Sequence, residues 1–517
     1  MSIDISIAAQ AVSPAAVPSG RSGRPTLLRV LLERRGWEWW TVFRHEFAAA
    51  AKRAAAEVGD RRLADVAISS STFHRWMAGD HVPQGQARVV LEAMMGVSVD
   101  LLLRPAPLHS VVVPRPIRPS SYAAALALDG QWATSTLCPT APAPGADGFW
   151  RLAGRHVFDG TTAAVQVYEA AAAGDLALIS QEDHEHLRSF VRPVRRGVVL
   201  ASLQVEDLEA RFVALDSAHC RRQMALDSPW QSVSIPSAYC LDDLTYAILW
   251  ATMCLDDALL ADDHALADAE SSLGQHQSTG RSAVARAAAP ALSRAGGDWL
   301  GAGFCAQHIA GRLTDVAGPA VLWAPVRSGE NAAMRLLLRH QRLLMETLRT
   351  RDAGLQGCAV FLPPGALTAP CYERIWLFLL LAHWELLGLR VWVCTEAEFA
   401  NAVGLALVPG RRAITADWGG GDLLWQVDVT DGRADVRAYS QALDHARVHS
   451  AVDGLTTPDR VRALADVLDL DWQWLTGRCR DLGAYGAAGM LRPRSRLISL
   501  DALDATLRAV GALAPAA

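Results

Sequence analysis

Three patterns in the sequence predict a mainly α-helical protein with a C-terminal α/β portion. Apolar residues recur at steps of three or four through much of the first 315 positions. Prolines interrupt the chain between about 105 and 149. After about residue 318, short apolar runs alternate with helical patterns. The expected architecture is an N-terminal helical bundle, a central helical region, and a C-terminal mixed sheet flanked by helices.

Each segment has its own reason. Residues 1–24 are rich in Ala, Ser, Pro and Gly without an apolar period, which predicts a disordered tail. Met1 to Ser22 lacks a basic start followed by an apolar stretch, so it does not read as a signal peptide. From 25 to 104 the pattern is helical. Trp37, Trp40, Phe43, Phe47, Ala51, Ala54 and Val58 fall on one face of a long helix that Gly59-Asp60 ends. Pro105, Pro107, Pro114, Pro116 and Pro119 remove backbone donors and fix φ. With the loose stretch Pro139 to Gly148 they predict a linker over 105–149.

Residues 150–317 read as mainly helical, with Val205 to Met224 and Leu241 to Leu266 as amphipathic helices and Ser271 to Arg281 as a polar loop. In 318–517, Ala320 to Val326, Cys358 to Leu362 and Leu389 to Cys394 read as strands. Asn331 to Arg349 and Tyr372 to Leu387 are the helices between them. Ala406 to Trp418 and Leu423 to Thr430 suggest an antiparallel pair around Gly419-Gly420-Gly421, followed by a helical tail with Trp472 and Trp474. The most apolar stretch, Ile375 to Leu389, is short and carries His383 and Glu385, so it reads as a core helix rather than a membrane span.

Composition narrows the function. Hydrophobic residues make up 51% of the chain, enough for substantial cores, and the formal net charge of -5 excludes a general polyanion binder. Lys52 is the only lysine, and arginine and alanine dominate, as expected of a GC-rich, actinobacterial coding bias. The nine cysteines are scattered without a CxxC pair, which argues for reduced, mostly buried thiols in a cytoplasmic protein.

The informative stretch is Arg61 to Leu103, RRLADVAISSSTFHRWMAGDHVPQGQARVVLEAMMGVSVDLLL. Ser69 can cap a helix; Phe73 and Trp76, three apart, can anchor its back; Gly79 can end it and Pro83 prevents continuation. The front offers Ser70, Ser71, Thr72, His74 and Arg75, all small or hydrogen-bonding. A helix that enters the major groove needs that division between fixed back and polar front.

The segments ISSSTFHRWMAGDHVP and VVLEAMMGVSVDLLL resemble the turn, recognition helix and closing helices of the Cro/C1-type (XRE-like) helix-turn-helix regulators. The likeness covers about 45 residues. It departs from the usual pattern in that Arg62-Leu63-Ala64-Asp65-Val66-Ala67-Ile68 lacks the glycine often found in the turn, in a preceding helix that looks one residue short, and in a long first helix. The resemblance implies that Ser70, Ser71, His74 and Arg75 face base edges and that Ser69, Thr72, Arg61 and Arg62 meet phosphates. Arg75 is suited to guanine O6 and N7 together. From Arg21 to Met95, twelve Lys and Arg stand against eight Asp and Glu, a balance of +4 that leaves -9 on the remainder. The segments IPSAYCLDDLTYAILWATMCLDDALL, WLGAGFCAQHI, LVPGRRAI and DLDWQWL resemble the long C-terminal halves of actinobacterial regulators that carry such a module.

Other constellations have plainer readings. Asp183-His184-Glu185-His186 reads as a charged turn, because neighbouring helical side chains diverge where a metal needs convergence. Asp242-Asp243, Asp256-Asp257 and Asp262-Asp263-His264 read as the wet face of an amphipathic helix rather than a magnesium site. His340, His383, His445 and His449 are available bases, but no G-x-S-x-G elbow accompanies them, and Gly419-Gly420-Gly421-Asp422 has no following Lys-Ser or Lys-Thr. The expectation is a non-enzymatic, sequence-specific DNA-binding transcriptional regulator without cofactor or metal. Its partners would be double-stranded DNA, a second copy of itself, and a small-molecule or protein effector, and no membrane. The rival expectations are an enzyme built on the C-terminal α/β region, and a protein-interaction scaffold.

Overall fold

The computed structural model describes residues 26–35, 37, 40–95, 98–103, 132, 134–138, 146–203, 211–226, 233–276, 282–285, 292–338, 355–399, 404–417 and 424–514. The expected tail at 1–24, the five prolines of the linker, His340 and Gly419-Gly420-Gly421 lie outside these residues. The broad expectation holds: the protein is mainly helical with an α/β C-terminal portion.

The N-terminal bundle comprises α1 (Leu27–Arg35), α2 (Trp40–Val58), a 3-10 turn (Arg61–Leu63), α3 (Ser70–Ala78), α4 (Gly85–Met95) and α5 (Val99–Leu102). Its own core gathers Leu28, Leu32, Phe43, Phe47, Ala51, Ala54, Phe73, Trp76, Val90, Leu91 and Leu102. The periodic face predicted for α2 is buried at Phe43, Phe47, Ala51 and Ala54, while Trp40 is half-buried and Val58, on the last turn, is exposed; Trp37, expected on the same helix, stands half-buried between α1 and α2.

The central region differs from the expectation of a helical 150–317. It carries most of a seven-stranded sheet of β1 (Ser135–Cys138), β2 (Gly148–Leu152), β3 (Thr161–Ala173), β4 (Leu176–Ile179), β5 (Gly197–Leu203), β6 (Arg211–Asp216) and β7 (Val233–Pro236); β1 and the start of β2 fall within 105–149, expected as linker. The long β3 pairs antiparallel with β2 and β4, and in parallel with β5. Between β4 and β5 lies α6 (His184–Val191), and α7 (Ser217–Leu226) follows β6 directly. Val205 to Met224, expected as one helix, thus contains a strand and the start of a helix. The reason is visible in burial: Ala163 to Tyr168 are all buried, as is every residue of β5. Strands covered on both faces lose the alternation that marks a strand in sequence.

The next element, α8 (Asp243–His276), runs 34 residues. Leu244, Tyr246 to Ala251, Met253 to Leu255 and Leu259 are all buried, so the helix is apolar around most of its circumference. It begins two residues inside the expected Leu241–Leu266 helix and extends to His276 through the first part of the expected loop. The stretch Asp243–Asp263 has the length and apolarity of a membrane span, yet its side chains are buried within the body, as in a core helix.

The acidic series on α8 is not a wet face. Asp256 is fully buried and binds Arg196 (2.6 Å) and Arg494 (3.0 Å). Asp257 also receives both guanidinium groups and the Thr161 hydroxyl. Asp262 accepts from the backbone and hydroxyl of Ser293, Asp263 from the Ser495 hydroxyl, Asp242 from Arg478, and Asp243 from the Trp132 indole. Burial pushes the Asp256 carboxyl up, but Arg494 and Arg196 outweigh it and hold it below the ordinary carboxylate value.

The second sheet has the order β11-β10-β9-β12-β13-β14-β8. Its strands are β8 (Ser282–Ala285), β9 (Ala320–Pro325), β10 (Leu355–Phe361), β11 (Arg390–Cys394), β12 (Gly404–Val408), β13 (Arg412–Asp417) and β14 (Leu424–Thr430). Strands β9, β10 and β11 are parallel and match the three runs read from the sequence, while β12, β13 and β14 form an antiparallel meander. Ala406 to Trp418, expected as one strand, turns back at Pro409-Gly410-Arg411, where Gly410 holds φ +71°.

Three helices connect these strands: α9 (Arg294–Leu313), α10 (Gly329–Leu337) and, after the short α11 (Pro364–Leu367), α12 (Cys371–Leu386). Ile375 to Ala382 of α12 are wholly buried, as expected of the core helix. The tail forms α13 (Arg433–Val448), α14 (Thr457–Val467), α15 (Trp472–Tyr485, with Trp472 and Trp474) and α16 (Asp501–Gly511). One continuous apolar cluster joins both sheets through α8 and α12, and a smaller one lies between the second sheet and α13. None of the nine cysteines is in a disulfide, and six are buried.

Candidate nucleic-acid interface

Helix α3 is set by local chemistry at both ends. The Ser69 hydroxyl accepts the Thr72 backbone N–H (3.2 Å) and also bonds the Ser71 and Thr72 hydroxyls at 2.9 Å each. At the other end Gly79 takes φ +78°, its N–H donates to the Trp76 carbonyl and the Asp80 N–H to the Arg75 carbonyl, a Schellman closure. A Cβ on Gly79 would meet the Thr26 methyl at 2.9 Å. Thr26 also donates its hydroxyl to the Met77 carbonyl (2.9 Å) and accepts the Arg29 N–H (3.2 Å), so it caps α1 and ties that helix to the end of α3.

The back of α3 is fixed by Phe73 and Trp76, both buried. Phe73 lies against Phe43 with ring centroids 4.4 Å apart and near Trp40, while Trp76 meets Phe47. Aromatic pairs prefer particular offset and tilted arrangements, so this packing constrains how α3 sits on the bundle. On the opposite side Ser71, His74, Arg75 and Ala78 are exposed at i, i+3, i+4 and i+7, one continuous stripe. Arg75 has no ion pair among the described residues.

The eight residues expected from the sequence separate into groups. Ser71, His74 and Arg75 share the exposed stripe. Ser70 and Thr72 are half-buried on its flanks, and Ser69 is exposed but occupied as the cap. Arg61 and Arg62 are exposed on the turn before α3. That turn is the main departure from the family pattern. Where a helix one residue short was expected, the described chain has only the 3-10 turn Arg61–Leu63, closed by Asp60 accepting the Arg62 N–H, and then Val66 to Ser69 without helix.

Charge around this face is nearly balanced. Between Thr26 and Leu103, ten Lys and Arg stand against nine Asp and Glu; Arg21 and Arg24, outside the described residues, and Asp100 account for the difference from +4. Exposed Asp60, Asp65 and Asp80 lie beside Arg61, Arg62 and Arg75 in sequence. Arg88 is engaged within the bundle, bonding Glu92 (3.1 Å) and Asp100 (2.8 Å) while Glu92 also accepts the Val99 N–H. Specific contacts, rather than a field of excess charge, are what this face can supply.

The other constellations are placed as follows. His184 to Val191 form α6, and His186 turns to the Tyr168 hydroxyl (3.1 Å), so the Asp183–His186 run does not converge. His383 bonds the Thr506 hydroxyl (2.8 Å). His445 and His449 lie together at the end of α13 beside Glu396, a juxtaposition that no local spacing signalled. Compared with protein-family models, curated proteins and solved structures, the chain matches none.

Proposed function

We propose that the protein is a cytoplasmic, sequence-specific DNA-binding transcriptional regulator. It reads the major groove with α3 and uses the body behind the bundle to dimerise and to respond to an effector. The observation that carries this reading is the stripe of Ser71, His74 and Arg75, exposed on a helix capped at both ends and anchored by Phe73 and Trp76. An arginine free of ion pairs on such a stripe can hold guanine O6 and N7 together, and His74 and Ser71 add shorter donors on the same face. Arg61 and Arg62, on the turn that precedes α3, suit the phosphates flanking the groove.

A helix of nine residues spans roughly 14 Å, about four base pairs of groove. One such module binds weakly, so control requires two copies on paired half-sites. The test is selection of genomic fragments by the full-length protein beside a double variant, His74→Ala with Arg75→Ala. Enrichment of one shared sequence by the native protein and its loss in the variant is the expected result. Equal, salt-sensitive retention of all fragments by both proteins would return the bundle to a structural or partner-binding role. Sedimentation should show a dimer at micromolar concentration.

A further inference from the structure

At the carboxyl end of β11 the structure assembles three metal-ligating side chains from two elements. His445 and His449 are four apart at the end of α13, with ring centroids 4.0 Å apart. Glu396 follows β11, and its Oε2 lies 2.8 Å from His445 Nε2. The ligand atoms of all three residues lie within 4.8 Å of one another. Nitrogen and oxygen ligands around a tetrahedral zinc ion, each about 2.0–2.2 Å from it, stand about 3.4 Å apart. Small rotations of exposed rings span the difference.

We infer that Glu396, His445 and His449 form a binding site for a zinc-class divalent ion. Two imidazoles and one carboxylate are the donor set such an ion favours over magnesium or calcium. The site is held in place from behind. The Ala451 N–H donates to the Val393 carbonyl (2.8 Å) and the Val393 N–H to the Ser450 hydroxyl (3.1 Å), fixing the exit of α13 against β11. The Phe399 ring backs His445, with Trp323 behind it.

Orientation and charge also fit. His449 Nδ1 lies 3.0 Å from the His445 carbonyl; donating that N–H leaves the Nε2 lone pair free to coordinate, the tautomer that outer hydrogen bonds impose on ligating histidines. The helix end contributes its negative pole to a bound cation. His449 is exposed, and Glu396 and His445 are half-exposed, so three protein ligands leave a fourth position for water or an incoming group. This site lies in the C-terminal sheet and does not depend on the DNA-binding reading.

The experiment uses the intact, chelator-stripped protein, titrated with Co²⁺ and then Zn²⁺. The expected result is a visible cobalt spectrum without sulfur charge transfer, saturating at one ion per chain and abolished by Zn²⁺. Glu396→Gln retains an oxygen for the His445 hydrogen bond while removing the anionic ligand, and His449→Ala removes the most exposed ligand. Each should weaken Zn²⁺ binding by on the order of ten-fold to 100-fold or more, with unchanged circular dichroism. Absence of saturable binding would overturn the site and leave an ordinary His–Glu surface pair. Binding with sulfur charge transfer, or binding untouched by both variants, would overturn it equally by locating the ion elsewhere.

Discussion

Glu330 offers a sharp test of how the two sheets are joined. It stands in the first turn of α10, on the crossover between β9 and β10, and is fully buried. Its carboxylate reaches the loop between β2 and β3, where it accepts four consecutive backbone N–H groups: Arg155 (2.8 Å), His156 (2.8 Å), Val157 (3.0 Å) and Phe158 (3.4 Å). Each carboxylate oxygen serves two donors. Glu330→Gln keeps one oxygen and turns an NH₂ toward the other two N–H groups. Whichever oxygen is replaced, one buried donor (Val157 or Phe158) and one part-buried donor (Arg155 or His156) lose their acceptor. At about 1–3 kcal/mol for the buried one and less for the other, the substitution should cost about 2–4 kcal/mol, a large share of a typical folding stability. Glu330→Ala, which strands all four, should cost more. Urea unfolding followed by tryptophan fluorescence is the assay, and Trp250 reports on the loop itself: its indole donates to the Ala153 carbonyl (3.0 Å) and its ring meets Phe158. A Glu330→Gln stability within about 1 kcal/mol of the native protein, at unchanged slope, would refute the view that these donors depend on the carboxylate.

Three other expectations follow from the same reasoning. Gly79→Ala forces a side chain into a left-handed backbone and against Thr26, so the bundle should lose about 1–2 kcal/mol, read as a lower thermal midpoint; an unchanged midpoint would contradict the strain. Asp216 is buried, and burial holds its carboxyl above the ordinary value despite the Ala218 N–H that it accepts. A raised carboxyl stabilises the fold below its unfolded value and loses that contribution as pH rises through the folded one. Asp216→Asn should therefore flatten the decline in urea midpoint as pH rises above about 4, and parallel pH profiles would refute this. On the proposed DNA-binding reading, Arg61→Ala with Arg62→Ala should weaken DNA binding alike on all sequences and make the salt slope shallower by about 0.9 for each phosphate that these arginines neutralise, per protomer. An effect confined to one sequence would instead assign these arginines to bases.

The sequence was legible where the signals are local. Ser69, Phe73, Trp76 and Gly79 announce α3 within eleven residues, and each stands where capping and anchoring require. The strands β9 to β11 and helix α12 were equally plain, because strand and helix periods alternate cleanly there. The first sheet was hidden by its own burial: β3 contains the run Ala170 to Ala173, favourable to helix, and Ala163 to Tyr168 are covered on both faces. The aspartates of α8 were misread because their partners are remote; Arg196 lies 60 positions from Asp256 and Arg494 lies 238. Glu396 escaped for the same reason, standing 49 positions from His445.

The shared apolar core around α8 has a consequence for screening ligands. Because one continuous cluster includes residues of both sheets, of α8 and of α12, neither sheet can lose its packing without exposing part of the other's. The body should then melt as one cooperative unit. A compound bound anywhere on it, to either sheet, would raise the same transition by an amount set only by its concentration and affinity. A thermal-shift screen of the intact protein can thus detect a ligand wherever on the body it binds.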